Sequence, residues 1–219
     1  MKLIVGLGNP GEQYEKTRHN LGFMIIEHFL KDFQSVRNFS WENSSKFKSD
    51  IVQIEWQPKH GSLEKVILAK PRTYMNNSGL TAHLIADFYK IKPEDVWAIH
   101  DDIDLPLGSM KIRFGGASAG HHGIESLIKH LNTDKFWRFR LGIGIQNSKE
   151  RIGSFGEEDV HEKIIIKNRK LRSVDDYVLG NFVGQERGKL KHLIKRGAKA
   201  IEASLEEGLI SAMNRFNTK

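Results

Sequence analysis

The chain contains no cysteine, and that single absence removes a disulfide framework, an iron–sulfur cluster, thiolate-bound zinc and a cysteine nucleophile together. Any catalysis has to use other groups. Long apolar runs are also missing, and those present are too short to cross a bilayer. The N-terminal MKLIVGLG enters a glycine turn too soon for a signal peptide and lacks the Arg and Ser of a transit peptide. No internal repeat or low-complexity linker divides the chain. These absences lead us to expect a cytoplasmic, globular protein. Its 219 residues suffice for one good-sized core, so a single domain over 1–219 is expected.

What the chain has in excess is positive charge: 34 Lys and Arg against 27 Asp and Glu, a formal net charge of +7. Such a balance favours a polyanionic partner, because Lys and Arg release counterions from phosphates on binding. A merely basic surface gives the same count, so the charge needs a motif beside it.

Hydrophobic periodicity supplies the fold class. KLIVGL (2–7) reads as a buried strand, and further strands are expected at 50–56, 65–70, 95–100, 110–114 and 139–145. Leu21, Ile25, Phe29 and Phe33 recur at helical spacing, and helices are also expected at 78–90, capped by Ser78, at 121–131 and at 186–209. Strands alternating with helices, with one β-hairpin, predict an α/β/α sandwich around a twisted mixed sheet. The charged stretch 147–174 fits no element well and reads as an inserted loop or short hairpin.

Gly6, Gly8 and Gly11 in GLGNPG stand at the spacing of a dinucleotide-binding loop. That fingerprint works only where the glycines lead from a strand straight into a helix whose amides hold the pyrophosphate. Here Asn9-Pro10-Gly11 is a turn signal, helical periodicity resumes only near Asn20, and the acid at the right distance, Asp32, falls inside that helix. A dehydrogenase remains a distant alternative.

Four loops carry reactive candidates. TRHN puts His19 in the loop after the first strand, and HDDIDLP puts Asp101 at the C-terminal end of the strand 95–100, the edge where open α/β sheets bind ligands. A carboxylate accepting from one imidazole N–H fixes the tautomer and raises the basicity of the other nitrogen. With no serine or cysteine partner, such a pair suits direct activation of water. His100, Asp101, Asp102 and Asp104 are crowded, but their spacing matches no EF-hand or zinc motif, and Asp102 and Asp104 read as turn formers before Pro106. The loop PRTYMNNSG offers Asn76 and Asn77, whose carboxamides suit a peptide backbone. FGGASAGHHG ends at a helix N-terminus, a place suited to anions, and Lys111, Arg113 and Arg140 lie on strands that can pair into a basic patch for a terminal phosphate.

GLGNPG, TRHN, YMNNSG, HDDIDLPLG, GGASAGHHG and FRLGIG, in this order, resemble the bacterial-type peptidyl-tRNA hydrolase family over residues 1–145, and DYVLGNF (176–182) resumes the likeness. The resemblance implies hydrolysis of the ester joining a peptide to the 3′-terminal ribose of tRNA, which recycles tRNA from stalled translation. It implies no metal and no organic cofactor, a monomer, and contact with the acceptor stem, the 5′-phosphate and the CCA end. His19 would be the general base and Asp101 its orienting partner. Asn9, Tyr14, Tyr74, Met75 and Asn76 would line the substrate pocket, while Arg113, where the family often has lysine, and Arg140 would grip the 5′-phosphate, with Lys111 beside them. The glycine loop would then serve to turn Asn9 toward the histidine.

Two departures stand out. The family's GHNG becomes Gly120-His121-His122-Gly123, so His122 takes the place of a substrate-binding asparagine; an imidazole cannot supply both amide functions at once, and reduced or re-tuned turnover is expected. The other is the segment 147–174, whose Lys163, Lys167, Arg169, Lys170 and Arg172 either add tRNA contacts or form a charged loop. An RNA-binding adaptor on the same fold, weak in catalysis, is the main alternative. Lys191, Lys195 and Lys199 at four-residue spacing suit an acceptor-stem contact in either case, or a solvated helix face.

Overall fold

The structure is a computed structural model that describes residues 1–33, 39–144, 165–166, 169–170 and 173–217. Strand β1 (Lys2–Gly6) is apolar on both faces, with Leu3, Ile4 and Val5 fully buried. A strand without a polar face needs cover on both sides. It sits inside a seven-stranded sheet of order β2-β3-β4-β1-β5-β7-β6, made with β2 (Glu42–Ser44), β3 (Ser49–Trp56), β4 (Glu64–Pro71), β5 (Val96–Pro106), β6 (Met110–Phe114) and β7 (Trp137–Gly144). β4, β1, β5 and β7 run parallel, while β3 pairs antiparallel with β4 as a hairpin and β6 pairs antiparallel with β7 across a helical connection.

Each face has its own core. On one side α1 (Leu21–Phe33), the short α4 (Val174–Val178), α5 (Arg187–Glu207) and α6 (Leu209–Phe216) bury Ile25, Ile26, Phe29, Tyr177, Ile201 and Phe216 against Ile4, Ile99 and Phe139. On the other, α2 (Ser78–Tyr89) and α3 (His122–Leu131) bury Ala82, Ile85, Ile124 and Leu127 against Leu3, Val5, Ala98 and Phe136. This is the α/β/α sandwich expected from the alternating elements. No helix among the described residues is long and apolar enough to cross a membrane.

The glycine loop has a packing role. Two 3₁₀ turns, Glu12–Tyr14 and Arg18–Asn20, intervene before α1, so no helix N-terminus follows the glycines directly. A Cβ on Gly22 would stand 2.2 Å from the Ile99 carbonyl oxygen, and one on Gly6 2.7 Å from the Gly22 carbonyl oxygen. These glycines let the first turn of α1 lie directly on the ends of β1 and β5.

Several boundaries differ from the sequence expectation, each for a local reason. β5 does not stop at His100 but continues to Pro106, because β7 goes on pairing with it after β1 has ended at the Gly6–Ile99 register. Asp101 therefore lies within a strand, at the point where its neighbour β1 has left. Ser78 is not the cap of α2: its hydroxyl bonds the Tyr74 carbonyl, and the 3₁₀ turn Met75–Asn77 leads into the helix. The C-terminal helix ends at Glu207, and Gly208 with φ +87° starts α6 in a new direction. Edge strand β2 carries no apolar pattern and was not expected. Of 147–174, the structure describes only 165–166, 169–170 and 173–174, where β8 (Ile165–Ile166) pairs antiparallel with β9 (Arg169–Lys170). Lys163, Lys167 and Arg172 lie outside the described residues, as do the side chains of Arg169 and Lys170.

Candidate active site

Three side chains meet beyond the C-terminal end of β1. His19, in the turn that opens α1, places Nδ1 3.0 and 3.1 Å from the two carboxylate oxygens of Asp101 on β5. His121, the N-cap of α3, places Nε2 3.1 Å from the same Asp101 Oδ1. The His121 tautomer is dictated by the backbone: Nδ1 accepts from the amides of Gly123 and Ile124 at 3.1 and 3.3 Å, so the proton sits on Nε2 and is donated to Asp101. Asp101 is 2% exposed and its acceptor sites face two imidazole N–H donors. His19 Nδ1 then carries a proton, and Nε2 is left without a hydrogen-bonding partner among the described residues.

The electrostatics follow. Burial opposes ionisation of Asp101, but the charge of His19 and the His121 hydrogen bond outweigh it and hold the carboxyl well below the usual carboxylate range. Burial likewise opposes a charged His19, yet the Asp101 carboxylate raises its pKa above the ordinary imidazole value of 6.5. His100 goes the other way: fully buried and beside His121, it is lowered well below that value, with Nδ1 donating to the Asp101 carbonyl at 2.7 Å. One ring is thus made more basic and the other is held neutral.

His19, Asp101 and His121 also offer ligand atoms within 4.8 Å of one another. The donor set fits a cation poorly. Ligation through His121 Nε2 would drive its proton to Nδ1, where two backbone N–H groups already point. Of the other crowded residues, His100 lies beside His121 but gives its Nδ1 proton to the Asp101 carbonyl, while Asp102 turns to Arg140 and Asp104 is exposed.

Asn9 is buried, and its main chain is pinned by Asn20, which accepts from Asn9 N at 2.8 Å and donates to Asn9 O at 2.9 Å. Asn9 Oδ1 accepts from Met75 N at 2.8 Å, so its contact is with the Met75 loop and not with His19. Its Nδ2 donors stay unbonded among the described residues. Met75 is buried beneath Gly123, where a Cβ would lie 2.5 Å from the Met75 sulfur, so glycine is what lets α3 settle on this loop. Asn76, one residue on, is exposed. Tyr74 adopts φ +57°, rare for a side chain-bearing residue, and meets Tyr14 edge to face at 6.4 Å. His122 bonds none of these side chains: 58% exposed, it lies 3.6 Å from Glu125 and 4.0 Å from Asp175.

The basic patch forms on the α3 side of the sheet edge. Register pairs Lys111 with Arg140 and Arg113 with Arg138, so all four share one face. Lys111 and Arg113 are exposed. Arg140 pairs with Asp102, Nε to Oδ2 at 2.5 Å, and Arg138 bonds the Ala117 carbonyl at 2.6 Å and the Gly116 carbonyl, anchoring the glycine loop. Burial, with Arg113 and Arg140 beside it, lowers Arg138 to about 10, and it remains charged at neutral pH.

Sequence reasoning missed His121, Asn20, Arg18 and Arg138 as site residues. Arg18 is 6% exposed; it binds Glu186 at 2.8 Å and the carbonyl of Asn181 at 3.0 Å, and stacks on Tyr177. It ties the turn carrying His19 to the DYVLGNF segment. TRHN and GHHG contain Arg18, Asn20 and His121, but neither motif says which partner each side chain meets.

The peptidyl-tRNA hydrolase family model matches residues 3–219. Similar chains include the peptidyl-tRNA hydrolases of Bacillus cytotoxicus, 40% identical over 99% of this chain and all of that one, and of Aquifex aeolicus, 38% identical over 99% of this chain and 96% of that one. Among solved structures, the crystal structure of peptidyl-tRNA hydrolase from Acinetobacter baumannii superposes with a TM-score of 0.77 at 30% identity, covering all of this chain and 95% of that one. With the match running nearly end to end, the chain belongs to the peptidyl-tRNA hydrolase family.

Proposed function

We propose that His19, held by Asp101, is the general base with which this chain hydrolyses the ester between a peptide and the 3′-terminal ribose of tRNA. His19 Nε2 takes a proton from water, and the oxygen attacks the ester carbonyl. Asp101 stabilises the imidazolium, and the tetrahedral oxyanion forms beside carboxamide donors. Collapse re-forms the carbonyl and breaks the bond between the acyl carbon and the ribose oxygen, and the same imidazolium returns its proton to that departing oxygen. A positioned base of this kind contributes on the order of 10² to 10⁴ in rate.

The observation that carries the proposal is the hydrogen-bond order around Asp101: with His121 locked as donor, the carboxylate fixes His19 with Nε2 as its basic nitrogen. The free Asn9 Nδ2 donors, exposed Asn76 and the Tyr14–Tyr74 pair would bind the peptide end. An amide next to the ester satisfies these carboxamides where a free amino acid presents an ammonium, which selects peptidyl over aminoacyl esters. Lys111, Arg113 and Arg140 would hold the 5′-phosphate, placing the acceptor stem along the basic edge; the exposed Lys191, Lys195 and Lys199 of α5 offer a second contact. The chain works in this account as a cytoplasmic monomer. The test is hydrolysis of N-acetyl-aminoacyl-tRNA against aminoacyl-tRNA in EDTA. Strong preference for the acetylated substrate supports the account, and equal rates or a metal requirement would overturn it.

A further inference from the structure

Successive residues of a strand point to opposite faces. Asp101 and Asp102 are neighbours on β5, and both carboxylates are buried at the sheet edge. Asp101 turns toward α1 and holds His19. Asp102 turns toward α3 and holds Arg140, whose Nε donates to Oδ2 at 2.5 Å. The other oxygen of Asp102 accepts from the Asp104 amide at 2.9 Å, so this carboxylate is fixed at both ends. It has the short Asx contact expected of a turn former and a second partner that the sequence did not suggest.

The way Arg140 is held matters. Asp102 takes the guanidinium by Nε, leaving Nη1 and Nη2 without a hydrogen bond among the described residues. A planar fork presented on those two nitrogens matches a phosphate. Its neighbours divide the work: Arg138 is committed to the carbonyls of Gly116 and Ala117, whereas Lys111 and Arg113 are exposed with no carboxylate within ion-pair distance among the described residues. Among the described residues, Asp102 is the carboxylate within ion-pair distance of this face.

We propose that Asp102 is a positioning residue for the tRNA 5′-phosphate, aiming the Nη edge of Arg140 at it. The proposal rests on Lys111, Arg113 and Arg140 being the phosphate site. It differs from a role in which Asp102 merely competes with phosphate for Arg140, and the two predict opposite signs.

The experiment compares kcat and KM for N-acetyl-aminoacyl-tRNA carrying a 5′-phosphate or a 5′-hydroxyl, at one fixed salt concentration, in the wild type, Asp102→Asn and Arg140→Ala. The wild type should prefer the phosphorylated substrate by roughly tenfold in kcat/KM, the scale of a charge-assisted hydrogen bond. In Asp102→Asn that preference should shrink to about threefold or less, through KM alone, with kcat on the 5′-hydroxyl substrate within about twofold of the wild type. A preference that grows assigns Asp102 the competing role and overturns the proposal. So does a preference lost in Arg140→Ala but kept in Asp102→Asn, which leaves the phosphate site standing. A wild type indifferent to the phosphate refutes the phosphate site and this inference together. If Asp102→Asn loses both substrates equally, Asp102→Ser, which keeps a hydroxyl for the Asp104 amide, is measured in the same way; equal loss there too shows a structural role and overturns the proposal.

Discussion

Replacing Asp101 by Asn should disable the site without unfolding it. Asp101 Oδ1 accepts from both His19 and His121, and Oδ2 lies 3.1 Å from His19 Nδ1. Since His121 must donate, the asparagine oxygen is drawn to it, and the amide nitrogen is turned against His19 Nδ1. His19 loses its acceptor and its counter-charge together. A unit charge pair at 3.0 Å is worth about 5 kcal/mol at an effective dielectric of about 20, and one decade of rate corresponds to about 1.4 kcal/mol. Allowing for relaxation, kcat should fall about 10³-fold, with KM changed less than about threefold; the equivalent change in serine hydrolases costs about 10⁴. Without the carboxylate, burial dominates His19, so the acid limb of any residual activity moves to lower pH. The assay is release of N-acetyl amino acid from N-acetyl-aminoacyl-tRNA, with thermal unfolding in parallel. A loss under about tenfold, or one carried mainly by KM, would refute the reasoning.

The wild-type pH profile has a definite sign. The base must be neutral, so kcat/KM rises with pH through a midpoint above 6.5, the side to which Asp101 moves His19; a midpoint below 6.5 would contradict this. The same raised value means that the contribution of His19 to stability is full below about 6.5 and is lost as pH climbs through its folded-state value, measurable by denaturation across pH. Arg18→Ala leaves Glu186 and three carbonyls without their guanidinium, at a cost of about 3 kcal/mol and a drop in Tm of roughly 6–12 °C. An unchanged Tm would show that the clamp is not structural. His122→Asn should raise turnover a few-fold by restoring a carboxamide at the head of α3, and a lower rate would show that the histidine serves this chain better.

The architecture was legible because its strands are apolar runs and its helices carry a 3.6-residue stripe, as in α1. Edge strand β2, Glu-Asn-Ser, has neither and exists because β3 offers it an edge. His19 and Asp101 could be picked out from loops flanking apolar runs. His121 could not, because its role depends on a cap geometry that presents Nε2 to a carboxylate 20 residues away in sequence. Asp102 read as a turn former, and its Asx bond to Asp104 agrees, but the pairing with Arg140 requires knowing that β7 lies beside β5. Arg138 and Arg140 alternate with buried Phe139 and Leu141, a pattern that marks a strand without saying what its polar face binds.

The central claim is that His19 activates the water. It is tested most directly by comparing the wild type with His19→Ala in single-turnover hydrolysis of N-acetyl-aminoacyl-tRNA, with and without EDTA, while measuring tRNA binding to both. The account predicts EDTA-resistant hydrolysis in the wild type, lost by about 10³-fold or more in a variant that still binds the substrate. Near-normal hydrolysis by His19→Ala, or binding without hydrolysis by either protein, would contradict it.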